Sequence, residues 1–375
     1  MKVLHFGTLD VNAGGPAWSA YYTLKGLRAC GVDASIITWT LPKNGKLIGD
    51  GIPRHEAGRP FDGKFCYSAS LKRKIRELGD FDIYHAQGVW QWPTYAMADV
   101  ARTKGRPYLI TPRGMLYPQD IAKASTTFKK LSLKWRLLND LNKAACVHVT
   151  CKEEMEHCRN LGINAPFAVI PNPVEIKYYT QRKEDDVFRV GYLGRVSRRK
   201  NVEGLIYAFD QLRNQMHNAE LLIIGGDDPQ YERFLKEEVE RLKLENVRFT
   251  GFLSGEEKDK ALASCSILAM PSEFENFGNV ILEGLIRGIP CIATKGAPWE
   301  VLETHHCGWW IDYNQDSITN AICKAYHTEP SELIMMGENG KKLLKEQFSV
   351  DSVAKSMKAV YEWILGGDKP ECVYL

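Results

Sequence analysis

No apolar run in this chain approaches the ~20 residues that a membrane-spanning helix needs, so nothing in it reads as a bilayer span. No secretory leader is expected either. Residues 2–6 pass straight into a strand pattern with no small-residue cleavage site, which gives the expectation of a cytoplasmic protein. The ten cysteines include no CxxC pair, and Cys146, Cys265 and Cys291 stand in apolar runs where a small buried thiol is the usual occupant. Cys146, Cys151, His157 and Cys158 are close in sequence but match no common zinc spacing, so neither disulfides nor a metal site is expected. The loop after the first strand lacks the full GxGxxG spacing, which removes the best support for NAD binding.

What is present is a globular composition, 44% hydrophobic and 25% charged, in a chain of 375 residues that suits two hydrophobic cores better than one. The net charge of +3 hides an asymmetry. Residues 1–172 carry 24 Lys and Arg against 14 Asp and Glu, a net of +10, whereas residues 173–375 carry 25 against 32, a net of −7. A basic first half suits an anionic partner: nucleic acid, a lipid surface or a phosphorylated acceptor. No recognised nucleic-acid motif accompanies that charge, so nucleic acid is the poorest of the three. Residues 128–138 interleave Trp and Leu with cations, a pattern that fits either a surface helix with its stripe in the core or one lying on an anionic membrane.

Along the chain, short apolar strands alternate with helical patterns. Strands are expected at 2–7, 34–38, 82–86, 108–111, 145–150 and 167–170, and again at 188–193, 220–224, 247–251 and 267–270. This alternation predicts α/β architecture with parallel sheets. A polar stretch at 183–186 marks the break between halves, residues 366–375 should fray, and residues 40–70 read as irregular. In open parallel sheets ligands sit beyond the carboxyl ends of the strands. Gly14 and Gly15, His85, Trp90 and Arg113 all follow such ends. The glycine pair is either a tight turn or a place where backbone approaches a phosphate or an acceptor closely. His85 is either a packed strand-end histidine or a ligand contact.

The densest chemistry lies in residues 272–285, SEFENFGNVILEGL. A buried-strand pattern precedes it and helical spacing follows, so free backbone amides around Phe277, Gly278, Asn279 and Val280 are placed to meet an anion. Glu275 and Glu283 bracket that point. Carboxylates repel phosphate, so these two suit the hydroxyls of a sugar and a ribose. Upstream, the loop 194–201 carries Arg195, Arg198, Arg199 and Lys200 between a strand and a helix.

The Glu275-x7-Glu283 block, with Pro271-Ser272 before it and residues 288–293 after it, resembles the signature of the retaining glycosyltransferases of family 4, which have the GT-B fold. Arg195 and Lys200 match that family's G-R-x4-K element. The first half resembles the acceptor domain of surface-polysaccharide members, with an HGLW-like loop at 85–90 and a PRGML-like loop at 112–116. The resemblance implies two Rossmann-like domains with parallel sheets facing across a cleft: an acceptor-binding domain at 1–172, a nucleotide-sugar domain at 173–350, and a helix and tail at 351–375 crossing back. It implies Arg195 and Lys200 neutralising a donor diphosphate, Glu275 with Phe277 and Gly278 on the donor hexose, and Glu283 on the ribose. The loop after 247–251 would flank the base, with Phe252 or Leu253 touching it through backbone; Gly14, Gly15, Arg113, Asn279 and Val280 would meet the donor, and His85 and Trp90 the acceptor. Arg113 stands where many members have a histidine, and a guanidinium suits phosphate but not proton transfer.

The expected reaction is metal-independent hexosyl transfer with retention, from a nucleotide-diphosphate sugar to a glycan or polyprenyl-diphosphate-linked acceptor in capsule, O-antigen or exopolysaccharide synthesis. The donor, a UDP-sugar by preference, is a substrate and no cofactor is expected. Peripheral contact with the inner face of the plasma membrane belongs to the same expectation. The rival readings are a non-catalytic nucleotide-sugar-binding module and a nucleotide-sugar epimerase of the same fold.

Overall fold

The computed structural model describes residues 1–61, 65–122, 132–177, 179–181 and 186–375. The amphipathic stretch expected over 128–138 is therefore described only from 132 onward, and the polar break at 183–186 only at Asp186. The chain forms two compact units, one of residues 1–175 with 348–375, the other of residues 176–347.

The first unit is built on an eight-stranded sheet. Its strands are β1 (Lys2–Phe6), β2 (Asp33–Thr38), β3 (Arg54–Glu56), β4 (Ile83–Gln87), β5 (Tyr108–Thr111), β6 (Cys146–Val149), β7 (Phe167–Val169) and β14 (Val373–Tyr374), in the order β14-β7-β6-β5-β4-β1-β2-β3. All neighbours run parallel except β14, which pairs antiparallel with β7. The tail expected to fray thus closes a sheet edge, with Val373 buried opposite Ala168. The supposedly irregular residues 40–70 likewise contribute β3.

Side chains alternate across this sheet with period two. Leu4, Tyr84, Ile110 and Val147 point to one core, whereas Val3, Ile83, Leu109 and Cys146 point to the other. That second core is covered by the helices Gly15–Ala29 and Val350–Ile364, which supplies Met357, Val360 and Tyr361. The two helices touch backbone to backbone at Gly26, where an added Cβ would lie 2.7 Å from Ala354 Cβ and 2.8 Å from Val350 O. Any larger residue there would push the returning helix off the sheet.

In the second unit, β8 (Phe188–Leu193), β9 (Ala219–Ile224), β10 (Val247–Gly251), β11 (Ile267–Met270), β12 (Cys291–Thr294) and β13 (Gly308–Ile311) form a wholly parallel sheet in the order β10-β9-β8-β11-β12-β13. Residues 221–224 and 267–270 are buried throughout, as strands covered on both faces must be. The strand order reverses between β8 and β11. Loops leaving those two carboxyl ends diverge there, which is the usual position of a ligand crevice in such sheets.

Candidate functional site

Both loops predicted to carry chemistry in the second unit arise at that reversal. After β8, the chain passes Arg195, whose carbonyl accepts a 2.6 Å hydrogen bond from the Tyr192 hydroxyl, and makes a 3-10 turn over Arg198–Lys200. Asn201, left-handed at φ 52°, then starts the helix Val202–Leu212. The four cations separate by role. Arg198 lies over the rings of Tyr231 and Phe234, 5.5 Å from each centroid, and Arg199 lies 6.0 Å from that of Phe274. These two pin the turn to its surroundings.

Lys200 instead meets Glu275 of the loop after β11 in a direct ion pair, and both side chains are largely covered. The loops are also tied through backbone, because Glu273 N donates to Arg199 O at 2.9 Å. Glu275 N is held by Gly296 O at 2.7 Å. Arg195 remains outward, 67% exposed, with Asp227 Oδ2 at 3.5 Å. Asp228 caps the helix Pro229–Arg241 by accepting from Gln230 N and Tyr231 N. The Asp227-Asp228 pair therefore forms the turn and cap at the start of that helix.

Gly278, at φ 82°, turns the loop into the helix Asn279–Leu285; a side chain there would meet Met270 Cε at 2.7 Å. The ring of Phe277 is buried against Trp299, with centroids 5.3 Å apart, and its carbonyl accepts from Trp299 Nε1. Only its backbone is left for a ligand. Glu283, on the same helix, receives a 2.6 Å hydrogen bond from Lys258 Nζ on the helix Gly255–Ala263. Nothing in the sequence pattern had drawn attention to Lys258. Phe252, just past β10, stands 84% exposed.

In the first unit, the loops after β4 and β5 are knitted together. Gly88 N donates to Thr111 O at 2.8 Å, and the Trp90 indole donates to Met115 O at 2.9 Å. Trp90 and Arg113 both adopt left-handed backbone, at φ 71° and 58°. For residues other than glycine such conformations are uncommon and tend to gather at functional sites. The Arg113 guanidinium donates through Nη1 to Ser19 Oγ and Asn172 Oδ1, both at 2.9 Å, and through Nη2 to Gln87 Oε1 at 2.8 Å; Nε has no partner. All three acceptors are neutral. Burial lowers its pKa to about 10, against a partly compensating Glu154 carboxylate. Gly14, at φ 65°, caps the helix Gly15–Ala29, whose Ser19 belongs to this cluster.

His85 is the correction. Its ring is 1% exposed on the core face of β4, with Nδ1 2.7 Å from the Tyr361 hydroxyl and Nε2 2.7 Å from Thr111 Oγ1. Both ring nitrogens are engaged inside the protein, so this histidine does not present itself to an acceptor. It lies two residues inside the carboxyl end of β4, deeper than the expected strand put it, and packs rather than recognises.

Comparisons with known proteins follow the same two-part division. A model described as Glycosyl transferase 4-like domain matches residues 14–173, and one described as Glycosyl transferases group 1 matches residues 178–343. The Methanocaldococcus jannaschii protein named "Uncharacterized glycosyltransferase MJ1607" is 29% identical over 182 residues, 48% of this chain and 46% of that one. The chain spans less than half the length of the curated relatives that it matches first. Among solved structures, sucrose-phosphate synthase from Thermosynechococcus elongatus superposes with a TM-score of 0.79 at 20% identity, covering 97% of this chain and 99% of that one. Anabaena Alr3699/HepE, solved in complex with UDP and glucose, gives 0.73 at 19% identity, covering 97% and 100%. Identities this low establish the shared fold alone. No described helix is long and apolar enough to cross a membrane.

Proposed function

Because the chain belongs to the GT-B glycosyltransferases of the family 4 type, we propose that it moves a hexose from a nucleotide-diphosphate donor to a hydroxyl of a glycan acceptor, with retention and without a metal. The observation that carries this reading is the meeting of Lys200 and Glu275 across the β8/β11 reversal. A cation for the diphosphate and a carboxylate for the hexose are side by side there, on loops from neighbouring strands. Arg195 adds a second cation on the same loop.

The chemistry follows from charge. As the bond between the anomeric carbon and the β-phosphate oxygen breaks, negative charge grows on the leaving diphosphate. Fixed cations stabilise it more in the transition state than before. Donor entry lets the Lys200 ammonium exchange Glu275 for phosphate, which frees the carboxylate to accept hydrogen bonds from sugar hydroxyls. Glu283 then takes the ribose, with the amides of Phe277, Gly278, Asn279 and Val280 around the turn and Phe252 beside the base. No carboxylate is assigned as a covalent nucleophile. The departing phosphate itself accepts the acceptor proton on the same face of the sugar, which preserves the anomeric configuration. Gly14, Gly15 and Arg113 stay assigned to the donor, and Trp90 to the acceptor, by family resemblance.

A UDP-sugar is the favoured donor; the Anabaena neighbour's complex with UDP supports that choice. The basic first half favours an acceptor carried on a lipid diphosphate, as in surface-polysaccharide assembly, with peripheral contact to an anionic membrane. The test is to incubate the protein with UDP-hexoses and lipid-linked or free glycan acceptors, follow UDP release, and assign the product anomer by NMR. Lys200→Ala serves as the control. Donor isomerised without acceptor would favour the epimerase, and a well-folded protein that binds UDP but turns nothing over would favour the binding module. Liposome sedimentation in low salt checks the membrane part, which fails if anionic lipid gives no preference.

A further inference from the structure

We infer that Lys258 is a positioning residue for the nucleoside end of the donor, an inference that rests on the assignment of Glu283 to the ribose. Lys258 Nζ lies 2.6 Å from Glu283 Oε2, and the two side chains are only 29% and 34% exposed. An isolated pair at a surface contributes little and holds neither partner still. This pair is not isolated. The next residue, Asp259, accepts from Arg287 Nε at 2.8 Å and Nη2 at 2.7 Å, and from the Thr180 amide at 3.1 Å. Arg287 is buried, its guanidinium lies 4.5 Å from the Tyr179 ring centroid, and its Nη1 donates to the Glu283 carbonyl at 2.7 Å.

The helices Gly255–Ala263 and Asn279–Leu285 are thus joined in a closed circuit. Lys258 grips the Glu283 carboxylate, Arg287 grips the Glu283 carbonyl, and Arg287 returns to Asp259 beside Lys258. Glu283 is held by its main chain and by one carboxylate oxygen at once. A carboxylate offers about four lone-pair positions over its two oxygens. With Lys258 on Oε2, Oε1 is left for the 2′-hydroxyl of a ribose. The lysine therefore fixes a flexible acid before the ligand arrives, and part of the ordering cost of binding is already met.

The experiment compares UDP and 2′-deoxy-UDP by titration calorimetry on the full chain and on Glu283→Gln, Lys258→Met and Lys258→Arg, with thermal unfolding of each. The wild type should prefer UDP, and Glu283→Gln should lose that preference. Lys258→Met should weaken UDP about tenfold while leaving 2′-deoxy-UDP within about twofold, and Lys258→Arg should recover most of the loss. If Glu283→Gln loses the preference but Lys258→Met keeps it, the inference is overturned while the ribose assignment stands. If Lys258→Met weakens both ligands equally and melts lower, the lysine is merely structural and the inference is again overturned. If Glu283→Gln keeps the preference, the ribose assignment itself fails and this inference falls with it.

Discussion

The Tyr361 hydroxyl, on the returning helix Val350–Ile364, lies 2.7 Å from Nδ1 of His85 in the middle of the first sheet. It also lies 3.1 Å from Nε2 of His5. From His85 the bonding continues through Thr111 Oγ1 to His148 Nδ1, and His148 Nε2 meets Ile170 O at 2.9 Å. A carbonyl only accepts, so His148 carries its proton on Nε2, and its Nδ1 must accept from Thr111. Thr111 then accepts from His85 Nε2, His85 Nδ1 accepts from Tyr361, and Tyr361 accepts from His5 Nε2. Each neutral tautomer is set by the one before it. The line ends at His5 Nδ1, buried with no partner.

Removing one member should be costly. Tyr361→Phe leaves His85 Nδ1 without its donor and His5 Nε2 without its acceptor, deep in the core. A loss of about 2–4 kcal/mol is expected from two buried unsatisfied groups. Urea denaturation followed by circular dichroism measures it. A loss below about 0.5 kcal/mol would show that these contacts carry little of the stability.

Acid should act on the same residues. Burial, with His148 and Arg113 adding like charge, lowers His5 to about 3, and burial lowers His148 to about 4; His85 is also held well below 6.5. A folded-state pKa below the unfolded one means that the unfolded chain binds more protons in between. Stability is therefore complete above pH 6.5 and falls as the pH drops through the window toward 3–4. His5 alone should account for about 2 kcal/mol by pH 5. Urea midpoints at pH 7, 6 and 5 test this, and His5→Gln should flatten the dependence in proportion.

Lys200→Ala should reduce transfer about a hundredfold or more, the usual cost of losing one fixed charge from a developing oxyanion. It also leaves the largely covered Glu275 without its cation, so donor affinity should fall as well. The Lys200→Ala/Glu275→Gln double variant should lose less than the product of the two single losses, because Glu275→Gln also removes the charge that Lys200→Ala leaves unpaired. Steady-state rates at saturating donor decide it. Full additivity of the two losses would mean that the residues work independently and that their contact in this structure is incidental.

Much of this is legible in the order of the amino acids alone. Apolar runs such as 221–224 and 267–270 declare buried parallel strands, and the charged, glycine-bearing loops after residues 193 and 270, which the structure brings together at Lys200 and Glu275, are the ones the sequence singles out. The order of strands was not legible, because nothing local in residues 373–374 says that they pair with β7. His85 was misplaced for a related reason. A strand end and a strand interior look alike until the covering helix is known. A signal did exist: Val3/His5, Ile83/His85, Leu109/Thr111 and Cys146/His148 each put an apolar residue and a polar one two positions apart on the face covered by Tyr361. Four polar residues on one face of adjacent strands call for partners on whatever covers them. Lys258 left no such trace, since a lysine on an exposed-looking helix is the commonest of residues.

Arg113→Lys tests whether shape or charge matters in the first unit. The guanidinium serves Ser19, Asn172 and Gln87 at once, a geometry that a single ammonium cannot reproduce. Charge alone should preserve little, so a loss of about tenfold to a hundredfold in kcat/KM is expected. Near-normal kcat/KM would show that a point charge suffices. Thermal unfolding run in parallel separates this from a folding defect.

Phe252→Ala separates binding from stability most cleanly, because the ring is 84% exposed and contributes almost no core. Its removal should leave the folding free energy within about 0.5 kcal/mol, as for surface substitutions generally. If the ring flanks the base, donor KM should rise about threefold to tenfold while kcat holds, the pattern of a contact made equally in the ground and transition states. The size follows from base stacking on an aromatic side chain, worth about 1–3 kcal/mol at most. Phe252→Tyr should keep the wild-type KM. Unchanged KM in Phe252→Ala would place the base elsewhere on the second unit and leave this exposed ring without a role in donor binding.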